Sequence, residues 1–95
     1  MIASLLVAAS ACILFVLGAV HLLYTFRGNR LHPRDAGLKA AMEGLPPVLT
    51  RQTTMWKAWI GFNASHSLGA LLFALVYGHL ATRHAEFLFG SPFLL

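Results

Sequence analysis

Charged residues are missing from two long runs of the chain. No Asp, Glu, Lys or Arg occurs from Met1 to Phe26, and none from Ala58 to Thr82. The second run alone is 25 residues. At about 1.5 Å per residue it spans roughly 37 Å, more than the ~30 Å hydrocarbon core of a bilayer. Both runs are apolar nearly all round, the pattern of a helix whose whole circumference is out of water. The pattern predicts spanning helices over about 2–26 and 54–82, joined by a polar connection over 27–52. A short apolar segment, 84–95, follows.

The connection has its own signals. Pro33 suits the start of a short helix, Asp35 favours its positive end, and Gly44 followed by Pro46 and Pro47 stops it. Leu38, Ala41, Met42 and Leu45 fall at helical spacing, which predicts a stubby amphipathic helix on the headgroup layer. Thr50, Thr53 and Thr54 each offer a hydroxyl to cap the second spanning helix. Trp56 and Trp59 then sit at the depth of an aromatic belt with Lys57 between them, and Tyr77, His79, Arg83 and His84 mark the opposite interface.

The last segment, HAEFLFGSPFLL, turns apolar again after Arg83. Twelve residues are too few to span. It reads as the beginning of a third spanning helix cut short, the alternative being an interfacial foot. The first run is not a signal peptide, because it lacks a basic start and exceeds a typical apolar core. Ala9-Ser10-Ala11-Cys12 resembles a lipoprotein cleavage box, but apolar sequence continues well beyond the cysteine. The expected fold is therefore all-α: a transmembrane helical hairpin in one membrane domain, residues 1–95.

Composition sharpens this picture. The chain is 58% hydrophobic and 11% charged, whereas the charged share of soluble domains is about 25%. A chain this short cannot bury so much apolar surface in its own core. The net charge of +4 does not point to nucleic acid, because the positive residues form no face of a folded surface. Arg27, Arg30, Arg34, Lys39, Arg51 and Lys57 are gathered in or beside the connection, leaving only Arg83 beyond the second helix. That asymmetry predicts a cytoplasmic loop and an N-terminus on the other side. It also predicts attraction to anionic lipid, by about 1 kcal/mol per basic residue near the surface. With a single cysteine, Cys12, neither an internal disulfide nor a thiolate cage is available.

Chemistry is sparse. No phosphate loop, nucleophile elbow, paired carboxylates, zinc spacing or internal repeat is present. Asp35, Glu43 and Glu86 all fall outside the spans, which leaves no acidic ion pathway. The one candidate is a polar knot, Asn63-Ala64-Ser65-His66-Ser67, inside the second apolar run. Counted from Arg27 and Lys57, His21 and Asn63 lie at equal depth, about 9 Å in, and His66 about one turn deeper. In antiparallel helices His21, Asn63 and His66 meet on one facing surface. Gly61, Ser65 and Gly69 recur every four residues, a stripe of small residues that permits close helix contact. On the first helix, Ala11 and Gly18 share the side of His21.

Two functions compete for these residues. In the leading reading His21, Asn63, Ser65, His66 and Ser67 form a polar cluster that pins helices together, with no cofactor. In the rival, a cofactor-binding or transport protein, His21 or His66 ligates haem or chlorophyll or relays a proton, since ionisable groups within a bilayer mark functional sites. Paired haem ligands require equal depth, which His21 and His66 lack. His32, His79 and His84 read as loop and interface residues.

The segments HLLYTFRGNRLHPRD (His21 to Asp35) and LTRQTTMWKAWIGFNASHSLG (Leu49 to Gly69) resemble a family of small bacterial integral membrane proteins of unknown function. The resemblance implies a four-helix membrane protein of greater length and a bacterial inner-membrane address. It supplies no reaction, substrate or ligand. The expected role is that of a non-enzymatic accessory subunit. Its partners would be lipid and the transmembrane helices of a larger energy-transducing complex, or further copies of itself.

Overall fold

A computed structural model describes residues 1–95. Four helices follow in order: α1 (Ile2–Phe26), α2 (Ala36–Gly44), α3 (Met55–Arg83) and α4 (Ala85–Gly90). The molecule is all-helical and elongated, 53 × 27 × 14 Å, and α1 against α3 is its main packing contact. Both long helices are long and apolar enough to cross a membrane, and only 11% and 17% of their most apolar windows are buried inside the fold. Leu5, Ile13, Phe15, Leu17, Phe62 and Leu72 are among the many large apolar side chains left facing outward. A core helix of a soluble protein would bury such residues.

The α1–α3 seam is made of small side chains. On α1 the buried positions are Ala11, Gly18 and Thr25, and on α3 they are Asn63, Ser67, Ala74 and Ala81. Ala11, Gly18 and Thr25 are spaced by seven, as are Ser67, Ala74 and Ala81. A repeat of seven keeps one edge of each helix on a left-handed seam. The closest approach is at Gly18, where an added Cβ would lie 3.3 Å from Ala70 Cβ, Leu71 Cγ and the Ser67 carbonyl oxygen. A Cβ on Gly78 would meet Ala11 at 3.4 Å, so the approach is close over several turns.

This corrects the expected packing stripe. Gly61, Ser65 and Gly69 are exposed, and a Cβ at Gly61 or Gly69 would meet nothing within 4 Å. They lie on the side of α3 turned away from α1. At four-residue spacing the small residues drift off the seam, whereas the seven-residue set stays on it.

At the loop end, α1 finishes with Gly28 at φ 72°, a left-handed turn that glycine makes without a Cβ penalty. Asp35 caps α2, its Oδ1 accepting from Gly37 N–H at 2.8 Å. The helix therefore starts after Asp35 and not at Pro33. Thr54 is the residue that caps α3, accepting from Lys57 N–H at 3.2 Å. Thr50 instead holds the loop through Gln52 N–H. Met55 N–H donates to the Leu45 carbonyl at 2.8 Å, tying the end of α2 to the start of α3.

At the tail end, His84 ends α3 and begins α4. The segment then folds back along α3. Leu88 is fully buried, and Tyr77 Oη donates to the Leu94 carbonyl at 2.9 Å. Over the residues described, the apolar tail is six helical residues and a turn, not a spanning helix.

Replacing Gly18 by Leu is expected to cost about 1–3 kcal/mol of overpacking, read as a lowered unfolding midpoint in detergent. In a detergent that keeps the chain monomeric, Gly69→Leu is expected to leave that midpoint nearly unchanged. Equal losses at both positions would contradict the seam described.

Candidate functional site

The polar knot resolves into one interhelical bond and several local ones. His21 Nε2 lies 2.9 Å from Asn63 Oδ1, and Asn63 Nδ2 donates to the Trp59 carbonyl at 2.9 Å. The second bond settles the roles in the first. A backbone carbonyl only accepts, so the Asn63 amide nitrogen must point to Trp59 and its oxygen to His21. Amide oxygen also only accepts, so His21 carries its proton on Nε2. In the neutral ring the Nδ1 lone pair is then free.

Burial explains why this pair matters. Asn63 is 3% exposed, and an unpaired amide in an apolar setting costs several kcal/mol. Both its donor and its acceptor are engaged, and no buried side-chain nitrogen or oxygen in the molecule lacks a partner.

The hydroxyls behave differently. Ser67 Oγ donates to the Asn63 carbonyl at 2.8 Å, Thr25 Oγ1 to the His21 carbonyl at 2.8 Å and Ser65 Oγ to the Phe62 carbonyl at 3.0 Å. Each is satisfied within its own helix. Ser65 and Ser67 therefore take no part in an interhelical hydrogen-bond cluster. Ser67 contributes as a small residue of the seam, and Ser65 faces away from α1.

His66 is brought near His21 but not into the bond. The two rings meet edge to face at 5.6 Å between centroids, 72° apart, and His66 stacks on Phe62 at 6.0 Å. It is exposed on the flank of the hairpin. Two imidazoles serving one haem iron must aim a nitrogen at a common point from opposite faces. Here His21 Nε2 is taken by Asn63 and the two rings meet edge to face, so the pair does not fit that ligation. No three His, Cys, Asp or Glu side chains converge to hold a metal ion.

The aromatic residues beside the loop make specific contacts within the chain. Trp59 Nε1 donates to the Leu31 carbonyl at 2.9 Å, so one residue joins the polar pair to the loop. Trp56 and His32 form a T-shaped pair at 5.0 Å between ring centroids, and the Lys39 ammonium lies 4.7 Å from the Trp56 ring centroid. Arg30 lies over Tyr24 at 4.8 Å. Lys57 is exposed. At the other end, Tyr77 holds the tail, and His79 lies 5.1 Å from His84 between ring centroids, with Arg83 in the last turn of α3.

Sequence reasoning missed Trp59 as a tether and Ala70, Ala74, Gly78 and Ala81 as seam residues. The seven-residue recurrence of small residues is present in the sequence, but the four-residue stripe beside it meets the same requirement. The indole N–H, which usually finds a partner when covered, was the signal for the tether. Comparison with protein-family models, curated proteins and solved structures found no match to this chain.

In ¹⁵N NMR of the protein in micelles, neutral His21 is expected as the Nε2–H tautomer. Asn63→Leu should remove that preference and cost about 0.6–1.7 kcal/mol of helix pairing. A wild-type His21 protonated on Nδ1 instead would overturn the assignment.

Proposed function

We propose that this chain is a non-enzymatic integral membrane protein whose role is to pack against other transmembrane helices. The helical hairpin sits in a bacterial cytoplasmic membrane with loop 27–52 in the cytoplasm and the N-terminus outside. The six basic residues at one end, against Arg83 alone at the other, support that orientation. The apolar side chains facing outward along both long helices support insertion, because lipid rather than water tolerates them.

One observation carries the packing role: α3 has a second small-residue face, Gly61, Ser65 and Gly69, which α1 does not use. Such faces let helix backbones approach closely, and packing is what drives association in lipid. The unpaired imidazole of His66 on the neighbouring flank points the same way. A polar ring left alone in hydrocarbon is costly, and a neighbouring chain offers it a partner. The neighbour belongs to a larger membrane complex or is another copy of this chain.

A rival reading gives His66 a tetrapyrrole as axial ligand, supported by the same free imidazole. An absorption spectrum of the purified protein separates the two. A Soret or chlorophyll band lost in His66→Leu and kept in Asn63→Leu would favour the rival.

Purified in mild detergent, the wild-type protein is expected with a second transmembrane chain or as an oligomer. Gly61→Leu with Gly69→Leu should weaken that association on the order of tenfold, about 1.4 kcal/mol, while His21 keeps its tautomer. A lone wild-type monomer with no co-purifying chain would end the packing proposal.

A further inference from the structure

We infer that the connection between α1 and α3 forms a binding site for the headgroup of an anionic phospholipid. The inference rests on the membrane placement proposed above. It goes beyond general attraction of a basic loop to a charged surface, because the loop carries two adjoining, open-sided chambers of different character.

The first chamber, about 450 Å³, is walled by Asn29, Arg30, His32, Arg34 and Lys39 among others. The second, about 290 Å³, is lined by Leu31, His32, Pro33, Met42 and Trp59. His32 and Pro33 belong to both walls. A phosphate suits the first chamber, where the guanidinium groups of Arg30 and Arg34 supply charge-assisted hydrogen bonds, Lys39 being paired with Glu43. Glycerol and the first acyl carbons suit the second. Free phosphate would use only the first chamber, so the pairing of the two selects an amphipathic ligand.

The walls are held in place before any ligand arrives. Arg30 is stacked over Tyr24 and Lys39 over Trp56, and His32 packs perpendicular to Trp56. Trp59, in the apolar chamber, is bonded to the Leu31 carbonyl. Stacked cations lose less freedom on binding than free ones, which lowers the cost of association. The acidic groups nearby are accounted for: Asp35 is engaged with Gly37 N–H, and Glu43 lies 3.3 Å from Lys39. Arg34 is exposed with no charged or aromatic partner, leaving its guanidinium free for the phosphate. The site also lies where a headgroup is, beside the end of α1 and the first turn of α3.

The test uses the full chain in detergent micelles. Dioleoyl phosphatidylglycerol, dioleoyl phosphatidylcholine and inorganic phosphate are titrated separately, with bound lipid read by native mass spectrometry and protection by the thermal midpoint. Phosphatidylglycerol is expected to bind and raise the midpoint, and the other two are not. Arg34→Gln and Arg30→Gln should each weaken it by about tenfold or more, the scale of a lost hydrogen bond between charged groups. Arg51→Gln, which removes the same charge outside the chambers, should weaken it by about fivefold or less, the surface-potential share.

Equal losses in Arg34→Gln and Arg51→Gln would overturn the site in favour of a diffuse field. Protection by inorganic phosphate at the same concentrations would make it an anion site and not a lipid site. Carbonate extraction of native membranes tests the underlying placement separately. Release of the protein would overturn the membrane reading and this site with it, whereas retention with equal arginine losses would overturn the site alone.

Discussion

The close approach of α1 to α3 at Gly18 is the constraint on which the other features depend. In lipid there is no hydrophobic gain in bringing two apolar helices together, so the pair is held by packing and by the few polar bonds that packing permits. At Gly18 there is room for a hydrogen and not for a methyl group without the neighbours moving, given the 3.3 Å an added Cβ would leave. One turn further along α1, that proximity lets a histidine reach an asparagine at 2.9 Å. If the helices stood further apart, both polar groups would lose that partner among apolar side chains. Close packing at Gly18 therefore also keeps the buried Asn63 amide and the half-buried His21 ring satisfied.

The His21–Asn63 bond in turn fixes register. A seam of alanine, glycine and serine is nearly uniform along its length, and sliding by one turn, about 5.4 Å, would exchange one small residue for another. Such a slide would separate His21 from Asn63 entirely. A single polar residue on an otherwise uniform seam selects one alignment in coiled coils by the same logic. The alignment is carried onward by Trp59, whose carbonyl receives the Asn63 amide and whose indole N–H holds Leu31. Helix pair, polar bond and loop thus form one connected unit, and the chambers beside Leu31 and Trp59 inherit its geometry.

Much of this was legible before any coordinates. Uncharged length together with the threonine caps predicts both long helices within a residue or two, and the Gly44–Pro47 stop predicts the end of α2, whose start lies three residues after the expected Pro33. Equal depth below Arg27 and Lys57 pairs His21 with Asn63, because helical rise is constant. What was not legible is the face. Gly61-x3-Ser65-x3-Gly69 and the seven-residue set both satisfy the requirement for small residues, and nothing in a helix apolar all round says which meets the partner within the chain. Hydroxyls mislead for a related reason: Ser65 and Ser67 look like interhelical donors, yet the carbonyl three or four residues back is always nearer. The fold-back of the tail onto Tyr77 was also hidden, since it depends on a phenol meeting a backbone carbonyl seventeen residues away.

The two small-residue faces of α3 differ in what they can recognise. The inner face presents an amide, so it discriminates by hydrogen bonding as well as by shape. The outer face presents two glycines and a serine whose hydroxyl is already spent on the Phe62 carbonyl. Any neighbour there is recognised by fit to a flat strip of backbone, which many helices satisfy, and selectivity has to come from the edges. His66 is the polar group nearest that role: it is on the flank between the two faces, oriented by its stack on Phe62, with both ring nitrogens free of partners in the chain. Shape at the glycines would set how closely a neighbour approaches, and the imidazole would set which neighbour is preferred.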